Sequence, residues 1–129
     1  MSNLETKITN FSKAVARLQD AIDEYGNTHS DAVRDGAIQR FEFCMELAWK
    51  TTREYLIEQG FAELNSPKAV MREAYANHII DEQELWVSAL NDRNLTSHVY
   101  DEKTSDEVFS RICTAYIPVL RKLDKFFSA

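Results

Sequence analysis

Apolar residues recur along the first stretch of the chain in alternating steps of four and three: Leu4, Ile8, Phe11, Val15, Leu18, Ile22 and Tyr25. That spacing draws one narrow stripe along a helix and predicts α-helix over residues 3–25. Lys7, Lys13, Arg17, Asp20, Asp23 and Glu24 fall off the stripe and face water, and Gly26-Asn27 supplies a stop. A second helix is predicted from Ser30-Asp31, good N-cap types, to Gln59, with Gly60 ending it. On it, Ile38, Phe41, Cys44, Met45, Ala48, Trp49, Tyr55 and Leu56 fill a broad arc, whereas Phe43 and Leu47 fall outside. A helix with two apolar faces is usually buried on both, so one face is a candidate subunit interface.

The remaining helices are announced by their starts. Ser66-Pro67 opens a third, with Val70, Met71, Ala74 and Tyr75 as its apolar side and Asn77-His78 as its end. Asp81 with Glu84, and Thr104 with Glu107, read as capping boxes for a fourth and a fifth. The fourth carries Leu85, Trp86, Ala89, Leu90 and Arg93. The fifth carries Val108, Ile112, Ala115, Tyr116, Val119, Leu123 and Phe126, and Pro118 should bend it by removing a backbone donor. Five helices with short connections predict an all-α, five-helix antiparallel bundle.

Composition narrows this without changing it. The 129 residues suit one domain, and the three glycines and two prolines argue against an all-β design with many turns. A net charge of −6 counts against a surface that coats nucleic acid broadly, though not against a local basic pocket. No run reaches membrane-spanning length and the start lacks a signal-peptide core, so a cytoplasmic protein without membrane association is expected. Cys44 and Cys113 read as free thiols in apolar helical patterns.

Candidate chemistry concentrates in Asn91-Asp92-Arg93-Asn94-Leu95-Thr96-Ser97-His98-Val99-Tyr100-Asp101-Glu102. Five helical residues rotate by about 140°, so Arg93 and His98 do not share a face of one continuous helix. The stretch therefore reads as a helix end running into a loop, where functional groups tend to sit. Histidine titrates near neutrality, and guanidinium forks match phosphate oxygens. Together they suit metal-free cleavage of an RNA phosphodiester. The leaving group needs an acid too, which a second copy of His98 supplies if a two-fold dimer brings both stretches to its axis. The structural alternative pairs Arg93 with Asp92, Asp101 or Glu102 and leaves His98 as a helix-end residue. Elsewhere, Glu42 and Glu46 lie one turn apart, but Lys50 and Arg53 on the same strip can neutralise them. His29 sits beside a helix start and His78 beside a helix end, as ordinary capping or loop residues do. No metal site or cofactor is expected: the sequence has no glycine-rich phosphate loop, HExxH motif or paired cysteine motif.

At these residues a family resemblance emerges. Arg93-Asn94-Leu95-Thr96-Ser97-His98-Val99-Tyr100 fits the Arg-x4-His-x-Tyr pattern of HEPN-domain proteins of the HepT type. The run Arg40-Phe41-Glu42-Phe43-Cys44-Met45-Glu46-Leu47-Ala48-Trp49-Lys50 resembles the signature of the branch called nucleotidyltransferase substrate-binding proteins. The resemblance covers residues 1–129 as a single HEPN-like helical domain. It implies a homodimeric helical bundle, the toxin of a toxin–antitoxin pair, with a separate minimal nucleotidyltransferase as antitoxin. It further implies a metal-independent endoribonuclease site at Arg93 and His98, assisted by Asn94, in a cleft between protomers. Tyr100 becomes the residue to which the partner attaches AMP. Because the chain lacks the Gly-Ser and paired-Asp elements of a nucleotidyltransferase, it is not itself the transferase. Two rival readings stand beside this one: a non-catalytic subunit that binds substrate for the nucleotidyltransferase, and a structural dimer in which the motif is an ionic lock.

Overall fold

The computed structural model describes residues 2–96 and 101–129, with the side chain of Thr96 excepted. The first helix, α1 (Asn3–Thr28), is capped by Ser2, whose side chain accepts from the Glu5 N–H at 3.0 Å. It overruns the expected stop: Gly26 and Asn27 continue the helix, and His29 ends it in the left-handed conformation at φ 51°. A solvent-facing glycine costs a helix only about 1 kcal/mol, too little to stop one whose cap lies a turn further on. α2 (Asp31–Glu58) follows with Ser30 as N-cap, and Gly60 takes up the positive φ, 97°, of the turn beyond it. α3 (Pro67–Ala76) starts at Ser66-Pro67 as expected, and α4 (Gln83–Thr96) begins two residues beyond Asp81, with Glu82 immediately before it.

The fifth helical rod has three parts: α5 (Glu102–Arg111), a π-helical turn (Ile112–Tyr116) and α6 (Ile117–Ser128). Its cap is Asp101, not Thr104. The Asp101 carboxylate accepts from both the N–H and the hydroxyl of Thr104, at 2.6 and 2.9 Å, and these bonds hold its pKa below the usual carboxylate range. Just before Pro118, where a bend was expected, the rod has the π turn, in which the Ile117 N–H reaches back five residues to the Ile112 carbonyl. The layout is the expected helical bundle, with no strand among the described residues.

α2 is its axis, packing against α1, α3, α4, α5 and α6. The α1 contacts run antiparallel: Thr51 donates to the Lys7 carbonyl at one end and Arg40 to the Arg17 carbonyl at the other. Phe11, Val15 and Leu18 of the first stripe are buried against Ile38, Phe41, Cys44, Met45 and Ala48, and Trp86, Ala89 and Leu90 close the core from α4. Arg34, itself buried, bonds Asp106 at 2.6 Å and Asp35 at 3.1 Å, fastening the start of α2 to α5. Two residues expected inside are not: Tyr75 and Phe126 sit at the exposed edge, Phe126 against the rings of Tyr55 and Phe127. Among the described residues no helix is long and apolar enough to cross a membrane.

Candidate functional site

Arg93 and Asn94 lie in the last described turn of α4 and line a cleft of about 290 Å³, walled by Met45, Glu46 and Trp49 of α2 and by Pro67 and Lys68 of α3. One Arg93 N–H stands 3.7 Å from Glu46 Oε1. The other Glu46 oxygen accepts from the Trp49 indole at 3.0 Å, so this carboxylate is steered from two sides. Burial pushes the Glu42 carboxyl above the usual range, and the charge of Arg93 partly opposes that.

This corrects the expected charge pattern. Arg53 lies 5.0 Å over the Trp49 ring and 4.0 Å from Glu63, and Lys50 also sits above Trp49. Glu46 is answered by Arg93 and Trp49. Asp92 is not the partner of Arg93 either, because it faces the other way, into the bundle.

Asp92 is 8% exposed. Arg111, at the end of α5, grips it with both arms of the guanidinium fork, Nε to Oδ2 at 2.7 Å and a terminal nitrogen to Oδ1 at 2.9 Å. The Tyr116 hydroxyl also donates to Asp92, and Ser88, one turn earlier on α4, meets that hydroxyl at 2.7 Å. Bonding to Asp92 raises the Arg111 pKa, and burial together with the same carboxylate raises that of Tyr116. The Tyr116 ring stacks on Phe41 of α2 at 5.5 Å and 17° between planes. Tyr116 is the last residue of the π turn, so the irregular part of the fifth rod is the part that holds α4. The network fixes the residue before Arg93. A one-dimensional reading reaches only its apolar half: Tyr116 belongs to the core stripe, and its hydroxyl needs a buried acceptor, but the partners lie 19 and 24 residues apart.

Ser97, His98, Val99 and Tyr100 lie outside the described residues, so the candidate proton-transfer and modification residues are not placed. His78 follows the end of α3 with φ 61°, as its position suggested, whereas His29, expected beside the start of the second helix, is also the residue that ends α1, with φ 51°. On the second apolar face of α2, Phe43 is 57% exposed while Leu47 is partly buried against the core.

The family profile described as nucleotidyltransferase substrate binding protein like matches residues 6–129. The chain belongs to that family. A relative from Haemophilus influenzae (strain ATCC 51907 / DSM 11121 / KW20 / Rd), described as probable ribonuclease HepT, is 28% identical over 118 residues, covering 84% of this chain and 79% of its own. A solved protein of Thermus thermophilus superposes with a TM-score of 0.81 at 30% identity, over 92% of this chain and 99% of that one. A solved structure from Haemophilus influenzae, described as revealing the fold of a substrate binding domain of a nucleotidyltransferase, also reaches 0.81, at 23% identity over 95% and 99% of the two chains. The substrate-binding-like family and its bundle are thus those expected from the second-helix run.

Proposed function

We propose that this chain is a HepT-like toxin: a metal-independent endoribonuclease that acts as a homodimer and is silenced when a partner nucleotidyltransferase transfers AMP to Tyr100. Arg93 is the phosphate clamp, Asn94 assists it, and His98 moves the proton. His98 takes the proton of the RNA 2′-hydroxyl and the freed oxygen attacks phosphorus. Arg93 neutralises charge on the non-bridging oxygens, and the departing 5′-oxygen takes its proton from a second copy of His98 across the dimer axis. AMP on Tyr100 adds bulk and negative charge beside this site and repels the RNA backbone.

The observation that carries this reading is the setting of Arg93, lining a cleft in a chain that is similar to a probable ribonuclease HepT. Arg93 and Glu46 keep 30% and 35% of their side-chain surface in solvent. An ion pair of that exposure is worth under about 1 kcal/mol, so Glu46 does not bar a phosphate from the guanidinium. The same carboxylates favour a second reading. Glu42 and Glu46 set negative charge beside the arginine, which suits a subunit that binds a nucleotidyltransferase's substrate better than one that grips an RNA backbone.

Incubating the purified chain with total RNA in EDTA separates the two. The toxin reading expects fragments, and expects Arg93→Ala to slow their formation roughly 10²- to 10³-fold, the usual effect of removing one stabiliser of transition-state charge. Equal cutting by parent and variant refutes the role of Arg93. Intact RNA in both assigns the chain to the binding subunit.

A further inference from the structure

The side of α2 around the exposed Phe43 and the neighbouring side of α1 enclose a groove of about 580 Å³. Its floor is apolar, from Phe43 and Leu47, and opens at Gly36, where no side chain narrows it and an added Cβ would meet nothing within 4 Å. Its rim is Lys13, Arg17 and Arg40, and no carboxylate lines it. In a chain of net charge −6 these three cations have no acidic partner among the described residues. Arg40 lies across the groove with one N–H on the Arg17 carbonyl at 2.7 Å.

We infer that this groove is a second RNA-binding site, one that holds a single strand outside the cleavage cleft; the inference rests on the ribonuclease reading. A cationic groove with an exposed aromatic ring is what tracks single-stranded nucleic acid without reading its sequence, the phosphates meeting the charges and a base stacking on the ring. Lys13 and Arg17 are one turn apart, roughly 6 Å along α1, close to the separation of successive phosphates in an extended strand. From Gly36 to Leu47 the groove runs about 16 Å, room for two or three nucleotides. A second copy of this chain docking the same face would bring six of these cations into one interface without a carboxylate from either groove lining, so charge disfavours that occupant. Phe43 and Leu47 stand on the same helix, α2, as Glu46 and Trp49 of the Arg93 cleft, so the groove and the cleft are two separate cavities built on one element.

The test uses a labelled 2′-O-methyl RNA oligonucleotide about 12 nucleotides long, which lacks the 2′-hydroxyl needed for cleavage, and measures its affinity for the full chain across salt concentrations. Phe43→Ala should weaken binding roughly tenfold through the lost stack. The pair Lys13→Gln and Arg17→Gln should reduce the slope of log affinity against log salt by about 0.7 for each charge removed. Parent-like affinity and slope in these variants overturn the inference, and if the parent cuts RNA in EDTA the ribonuclease reading survives that outcome. A parent that binds no oligonucleotide overturns it as well. A change of oligomeric size in Phe43→Ala by gel filtration, with RNA affinity intact, assigns the face to protein contact and also overturns it.

Discussion

Replacing Arg111 by Met keeps most of the aliphatic stem and removes the fork that grips Asp92. The carboxylate is 8% exposed and is left with the Tyr116 hydroxyl as its remaining partner in the network. Breaking a fully buried pair by deleting one member costs about 3–5 kcal/mol, because a charge stays behind without compensation. Here the Arg111 side chain is 41% exposed, so water reaches part of the vacated space, and a loss of about 2–3 kcal/mol is the reasoned figure. The decisive comparison is with Asp92→Asn combined with Arg111→Met. Removing the charge should restore part of what the single change loses, since the two sites act as one unit. Urea denaturation at fixed protein concentration reads both variants. A single variant within about 0.5 kcal/mol of the parent, the scale of an ordinary surface change, refutes the clamp. So does a double variant less stable than Arg111→Met alone. RNA cutting by Arg111→Met should also fall under conditions where it stays folded, because the clamp sets the residue before Arg93.

Other outcomes follow from single groups. Burial raises the Glu42 pKa in the folded chain, so the stability linked to this group is present below the ordinary glutamate range and lost as pH rises through the folded value. Glu42→Gln should therefore raise the urea midpoint at pH 7, with the gain vanishing below about pH 4; a gain that persists in acid contradicts the burial argument. Cys44 is buried and its thiol is pushed up to about 12, so a thiol reagent at pH 8 should label it only on unfolding. Rapid labelling of Cys44 in the folded chain would show that α2 opens locally. Glu46→Gln removes the carboxylate beside Arg93 and should tighten the binding of a phosphate-bearing oligonucleotide by a fewfold, since pairs about one-third exposed carry under about 1 kcal/mol. Unchanged affinity would place the phosphate away from Arg93.

The bundle was legible because α1, α3, α5 and α6 are amphipathic and most starts use unambiguous caps. Ser30, the Ser66-Pro67 pair and Gly60 did what their residue types do in any context. The ends of α1 and α5 were less legible, since each offers two adequate signals and only geometry chooses. Gly26-Asn27 and His29 both suit a helix end, as Asp101 and Thr104 both suit a start, and the structure takes His29 and Asp101. Tertiary chemistry was the hardest to read. Asp92 stands beside Arg93 in sequence but belongs to a network with Arg111 and Tyr116, and the π turn that supplies Tyr116 leaves no trace in hydrophobic periodicity. Arg93 was singled out by its chemistry and Asn94 only by the resemblance, and their cleft depends on Glu46, Trp49 and Lys68 from two other helices.

The central claim is that His98, with Arg93, cuts RNA. Its most direct test is tightly controlled expression of this chain alone beside the variant His98→Ala, following growth and total RNA. The account predicts growth arrest and RNA fragments with the parent, and healthy growth with intact RNA when the histidine is replaced. Equal arrest and equal fragmentation by both chains would contradict it.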